Sequence, residues 1–178
     1  MGKWQGGEET KPNWDDYYMA LALTVAQRSV DKSTVHGACL VSYDHRLLSI
    51  GYNGPLKGGT FSDEDLSKRP DKYWYMIHAE ENCLINYHGS YSDLGSSTIY
   101  VTGEPCHRCL RMILQKGIHR IVYGTIGSKC IDENDIKAKK KMIAAMAPPP
   151  QIIVYNNLDN TKELLQKTLD YIEYKENQ

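Results

Sequence analysis

Residues 75–85 read "YMIHAEENCLI" and residues 103–111 read "GEPCHRCLR". In each, side chains able to bind a metal or move a proton stand just before an apolar run with helical spacing. Each stretch therefore reads as the first turn of a helix entered from a strand or loop. The first helix is expected from about Ala79 to Tyr87 and the second from about Cys106 to Gln115, followed by the strands "STIYVT" (97–102) and "RIVYG" (120–124), respectively. Further on come a charged helix containing "KAKKKMIAAM" (137–146), a strand "QIIVYN" (151–156) and a last helix from about Thr161 to Glu173. Strands alternating with helices of this length imply right-handed crossovers and a sheet covered by helices, an α/β fold.

Upstream, Asn13 can cap a helix from Trp14 to about Ser29, with Tyr18, Leu21, Ala22 and Val25 on its apolar stripe. The stretch "HGACLVSYDHRLLSIGYNG" (36–54) holds two apolar runs joined through Tyr43–Arg46, the pattern of a hairpin. Pro55 to about Asp71 is polar and rich in turn residues, too long for a simple connection, and is a candidate functional loop.

The chain has 178 residues, 41% hydrophobic and 24% charged, which fits one globular domain with a single core. A flexible tail is expected over residues 1–12 and one domain over 13–178, because Pro148–Pro150 is too short a break to separate units. A net charge of -1 lacks the basic excess of nucleic-acid binders and favours a small substrate. No stretch is long and apolar enough to span a membrane, and the start lacks the apolar middle of a secretory signal, so a cytoplasmic protein is expected. Five cysteines in a reducing compartment argue for metal or catalytic roles over a disulfide framework. Cys39, Cys83 and Cys130 read as buried small hydrophobes or free thiols, and the lysines at 139–141 as a solvated helix face.

Two helix starts can face one ion. His78 with Cys106 and Cys109 makes three borderline-soft ligands, the number a catalytic zinc uses when it keeps a fourth position for water. Such a zinc lowers the pKa of a water to about 7. Glu80, two residues from His78, is placed to carry the proton to a ring nitrogen and then to a leaving amine. His-x-Glu followed by Pro-Cys-x-x-Cys is the general signature of zinc deaminases acting on nucleobases. Taken singly, His78 also reads as a core histidine, and Cys106 and Cys109 as a redox pair.

The chain resembles the deoxycytidylate (dCMP) deaminases of the cytidine deaminase fold over roughly Trp14–Thr125. The resemblance rests on "WDDYYMALALTVAQRS", "HGACLVS", "GYNGPLKGG", "KYWYMIHAEENCL", "IYVTGEPCHRCLRMILQKGI" and "RIVYG", of which "AQRS" and "GYNG" are the discriminating segments. It implies a three-layer fold, with a five-stranded mixed sheet and helices on both faces. It also implies one catalytic Zn2+ per chain, hydrolysis of dCMP to dUMP and ammonia for thymidylate synthesis, and a homo-oligomer (dimer, tetramer or hexamer). Effectors dCTP and dTTP, with Mg2+ accompanying a nucleotide effector, belong to the same expectation, as does the absence of membrane and nucleic-acid partners.

Carried over by position, His78, Cys106 and Cys109 become the zinc ligands and Glu80 the proton shuttle. Asn53 would bond the deoxyribose hydroxyl region, or else be a turn residue. Arg28 and Ser29 would meet the phosphate, Arg28 reading equally as a surface charge; Tyr75 would stack on the nucleotide or pack in the core. Ala79 completes the substrate-binding set. His36 stands where the family often has Val, which puts an imidazole near the pocket, and Glu81 stands where Leu is usual, which suits an exposed or intersubunit face. The alternatives are a deaminase of dCTP or a 5-modified dCMP, a tRNA adenosine deaminase disfavoured by charge, a non-catalytic zinc module that would not need Glu80, and a thiol redox protein.

Overall fold

The computed structural model describes residues 11–126 and 132–176; the first ten residues of the expected tail and Cys130 lie outside them. β1 (Gly37–Val41) and β2 (Leu47–Tyr52) form the expected hairpin, with Gly37 opposite Tyr52. In the turn, His45 adopts φ 62, an unfavourable region for a residue with a Cβ. Its ring stacks on Trp14 with centroids 3.9 Å apart, and its carbonyl accepts from Tyr18 Oη at 2.6 Å, so packing holds the conformation.

β1 also pairs antiparallel with β5 (Thr98–Val101), and β5, β6 (Arg120–Tyr123) and β7 (Gln151–Val154) run parallel. The result is a mixed five-stranded sheet in the order β2-β1-β5-β6-β7. A second ribbon pairs β3 (Gly54–Pro55) with β4 (Met76–Ile77). The segment between β3 and β4 is not the open loop expected over 55–71. It folds back on itself through α2 (Asp63–Ser67), where Ser62 and Asp65 cap each other, and a 3-10 turn at Asp71–Trp74. Ser-x-x-Asp supplies the reciprocal cap that starts this helix.

One face of the sheet carries α3 (Ala79–Ile85), α4 (His107–Gln115) and α5 (Glu133–Ala145), which bury Cys83, Leu84, Leu110, Ile113 and their neighbours against Leu40 and Ile99. The other carries α1 (Trp14–Ala26) and α6 (Leu158–Glu176), with Tyr18, Met19, Ala22 and Val25 packed on Cys39 and Val122. This is the three-layer α/β arrangement that the family resemblance implied.

Some boundaries differ. α1 stops at Ala26, after which Arg28 and Ser29 continue as tight turns bonded to the carbonyls of Val25 and Ala26. α6 begins three residues before Thr161, where buried Thr161, Tyr155 and Asp16 are linked by hydroxyl bonds of 2.6 and 2.7 Å. Lys139 is not part of a solvated face: it is 7% exposed and paired with two carboxylates.

Gly51 on β2 lies directly beneath the first turns of α3. A Cβ there would sit 2.2 Å from Cys83 N and 2.3 Å from Ala79 O, both backbone atoms that cannot swing aside. Gly51→Ala is expected to destabilise the fold by about 1–3 kcal/mol or more through overpacking. It should also displace the helix that carries Glu80. Chemical denaturation checks this, and an unchanged midpoint would refute it.

Candidate active site

His78 and Cys106 are both N-cap residues, His78 of α3 at φ -74, ψ 159 and Cys106 of α4 at φ -68, ψ 166. An extended cap turns the side chain off the helix axis, so two helix starts side by side aim these groups at one point. Pro105 lies one residue before the cap of α4. Cys109 follows on the first turn and is buried.

His78 Nδ1 stands 3.7 Å from Cys106 Sγ and 3.4 Å from Cys109 Sγ, and the three donor atoms lie within 4.8 Å of one another. Tetrahedral zinc, with arms of about 2.1 Å to nitrogen and 2.3 Å to sulfur, requires N···S edges of about 3.6 Å. The donor set therefore fits zinc by spacing and by softness. Hydrogen bonding from Cys109, helped by His78, holds the Cys106 thiol down to about 3 and pushes Cys109 up. Two thiols sharing one proton are a pair that a divalent cation can take over.

Glu80, 6% exposed, lies beside this cluster on the wall of a cavity of about 760 Å3. Burial pushes its carboxyl up to about 7, against the opposing pull of His78. A carboxyl poised there can both take and return a proton near neutral pH. It is not one of the three donor atoms.

Residues 12–125 match the cytidine and deoxycytidylate deaminase zinc-binding region. The chain belongs to that family. Among its relatives, a probable deoxycytidylate deaminase of Drosophila melanogaster is 34% identical over 144 residues, covering 75% of this chain and 69% of that one. The deoxycytidylate deaminase of Mus musculus is 37% identical over 117 residues, covering 62% of this chain and 64% of the mouse protein. The crystal structure of the dCMP deaminase from the cyanophage S-TIM5, in complex with dCMP and dUMP, superposes with a TM-score of 0.63 at 25% identity. That match covers 82% of this chain and 99% of the phage chain.

The segment bearing Cys106 and Cys109 is gripped by α5 of this family member. Lys139 Nζ donates to Glu104 Oε1 at 2.5 Å and to Pro105 O at 3.3 Å, and it pairs with Asp135 at 3.0 Å. Asp135 in turn accepts from His107 N at 2.6 Å and lies 2.8 Å from its Nδ1. Glu81 is half-buried, not turned to an exposed face: its carboxylate accepts from the His78 backbone N–H at 3.1 Å and fixes the start of α3.

Of the other sequence-predicted residues, His36, Asn53 and Ala79 border the cavity with His78 and Cys106. Asn53 is already engaged: Oδ1 accepts from His36 N at 2.7 Å, and Nδ2 donates to Thr34 O at 2.9 Å and to Asp31 at 3.3 Å. Arg28, Ser29 and Tyr75 are not brought to the cavity wall. Arg28 is exposed beyond α1, and Ser29 Oγ accepts from Asp31 N at 3.2 Å. Tyr75 donates to Asp65 O at 2.5 Å and stacks on Phe61, committed to packing α2.

Sequence reasoning missed the cavity's roof. Lys72 Nζ lies 2.8 Å from both carboxylate oxygens of Asp31, with the two side chains 3% and 6% exposed, and this pair ties the 3-10 turn to the segment after α1. Arg69 and Arg108 also border the cavity; neither forms an ion pair among the described residues. The polar 55–71 stretch was the one signal the sequence offered, and of these residues it contains only Arg69.

Proposed function

We propose that the chain is a zinc-dependent deaminase that hydrolyses dCMP to dUMP and ammonia, supplying dUMP for thymidylate synthesis. The observation that carries this reading is the three-donor cluster with a buried carboxyl beside it at the wall of a nucleotide-sized cavity. When bound, zinc supplies Lewis acidity that makes water a competent nucleophile near neutral pH. Glu80 accepts the proton that water gives up, passes it to the pyrimidine ring nitrogen and then assists departure of ammonia. α3 and α4 hold the donors rigidly, and the Asp31–Lys72 bridge closes the roof. Homo-oligomer formation, control by dCTP and dTTP, and Mg2+ accompanying those effectors belong to the reading through family resemblance, and a cytoplasmic location through the sequence pattern. None of the described helices is long and apolar enough to cross a membrane.

The 5′-phosphate finds its counter-charge in Arg69 and Arg108, since Lys72 and Lys139 are committed to carboxylates. Loss of a charge-assisted bond to phosphate is worth roughly 1.5–3 kcal/mol, or about 10- to 100-fold in affinity. Arg108→Ala is therefore expected to raise KM for dCMP by about that factor while leaving turnover of deoxycytidine unchanged. An ultraviolet assay of dCMP, dCTP, CMP, deoxycytidine and 5-methyl-dCMP, with and without dCTP and dTTP, tests the function. No deamination of dCMP by the zinc-loaded chain would defeat it. Equal loss on dCMP and deoxycytidine would defeat the phosphate assignment alone.

A further inference from the structure

The neighbouring hydrogen bonds fix the tautomer of His36. Thr102 is 0% exposed, so its hydroxyl proton needs a partner inside the protein. Its Oγ1 already accepts from Gly37 N at 3.1 Å, and the remaining partner among the described residues is His36 Nδ1 at 3.2 Å. Thr102 therefore donates to Nδ1, and the neutral imidazole carries its hydrogen on Nε2. A hydrogen on Nδ1 would leave the buried Thr102 proton without an acceptor.

The main chain of His36 is held just as firmly. Its N–H donates to Asn53 Oδ1 at 2.7 Å and its carbonyl accepts from Asn53 N at 3.1 Å. His36 lines the cavity together with His78, and its one ring hydrogen bond among the described residues is at Nδ1, not at Nε2. A donor fixed by three bonds loses little freedom when a ligand arrives. Asn53, which the family resemblance assigned to the nucleoside, has its amide hydrogens committed to Thr34 and Asp31. With the Asn53 amide hydrogens committed, His36 Nε2–H is a free donor on this side of the cavity.

We propose that His36 is a specificity-determining residue whose Nε2–H donates to an oxygen acceptor on the nucleoside part of the substrate, in place of Asn53. The inference rests on the reading of the chain as a dCMP deaminase. The chemistry fits either the pyrimidine O2 or a sugar hydroxyl oxygen, and the two separate by substrate analogue. Zinc-loaded wild-type, His36→Val and His36→Gln proteins are compared on dCMP, 2′,3′-dideoxycytidine monophosphate and 2-thio-dCMP.

His36→Val is expected to lose about 10-fold in kcat/KM on dCMP, mainly through KM, with zinc content and melting temperature unchanged. His36→Gln, which keeps an N–H donor, should recover part of that loss. The difference between wild type and His36→Val should vanish on whichever analogue lacks the true acceptor. Long-range 1H–15N spectra of the ring should show the Nε2–H tautomer, and its proton should shift when dCMP is added to the Glu80→Gln protein, which binds without turnover. Equal kcat/KM for wild type and His36→Val on all three substrates would overturn the proposal, as would an Nδ1–H ring or an Nε2–H resonance that ignores dCMP. A wild-type protein inactive on dCMP would instead overturn the functional reading, and the ring spectra would still decide whether His36 senses the nucleotide.

Discussion

Replacing Glu80 with Gln is expected to lower the rate of ammonia release from dCMP by about 10²- to 10⁴-fold while one zinc per chain is retained. Glutamine keeps the size and hydrogen-bonding shape of the side chain but cannot exchange a proton. Glu80 is 6% exposed in the second position of α3, where burial holds its carboxyl up to about 7, a proton affinity that an amide does not supply. The three candidate donor atoms belong to His78, Cys106 and Cys109, so zinc content is expected to be independent of this carboxylate. Stopped ultraviolet assays give the rate, and atomic absorption on the dialysed protein gives the metal. If the variant turned over dCMP near the wild-type rate, proton transfer by Glu80 would be wrong even with the zinc site intact. If it lost its zinc, Glu80 would be a ligand and the three-donor description would be incomplete.

The parts of this site that were legible in the sequence are those that helix starts impose locally. His78 and Glu80 share one turn, and Cys106 and Cys109 another, so chemistry and spacing could be read together before any long-range contact was known. Glu81 shows the limit of that reading. Its charge was visible, but its bond to the His78 N–H depends on the extended cap conformation. The Asp31–Lys72 bridge joins residues 41 apart across an irregular excursion, where no periodicity marks a partner. Lys139 sits in a run of three lysines, and only the helix phase against Glu104 and Asp135 singles it out for burial. Tyr73 and Tyr75 lie two apart across the end of a 3-10 turn, where neither strand nor helix spacing applies: Tyr73 borders the cavity and Tyr75 stacks on Phe61. The α/β class was legible because strands alternating with helices constrain topology, the five-stranded mixed sheet came with the family resemblance, and the strand order was not read at all. The β3–β4 ribbon was not legible, since two-residue strands carry no pattern.

The other large effect is expected from Cys109→Ser. Cys109 is 1% exposed, with Sγ 3.4 Å from His78 Nδ1, and a neutral hydroxyl is a poor zinc ligand. Two protein donors remain, too few to hold zinc against dialysis, so metal content should fall from one per chain to near zero and deamination should become undetectable. Stability should fall as well, because a ligand that binds only the folded chain stabilises it by about 4 kcal/mol when present at 1,000 times its dissociation constant. For a chain of this size that corresponds to a drop of about 8–16 °C in Tm. The loss of metal can be separated from the loss of a buried sulfur. Chelation of the wild-type protein should reproduce most of the drop, whereas the chelator should leave the Tm of Cys109→Ser unchanged. Cys83→Ser provides the contrast: Cys83 is equally buried, but its Sγ faces Ser49 O at 3.6 Å and is not among the metal donors, so that variant should keep its zinc. A Cys109→Ser protein that still held one zinc, or that lost as much Tm on chelation as the wild type, would show that another residue completes the site.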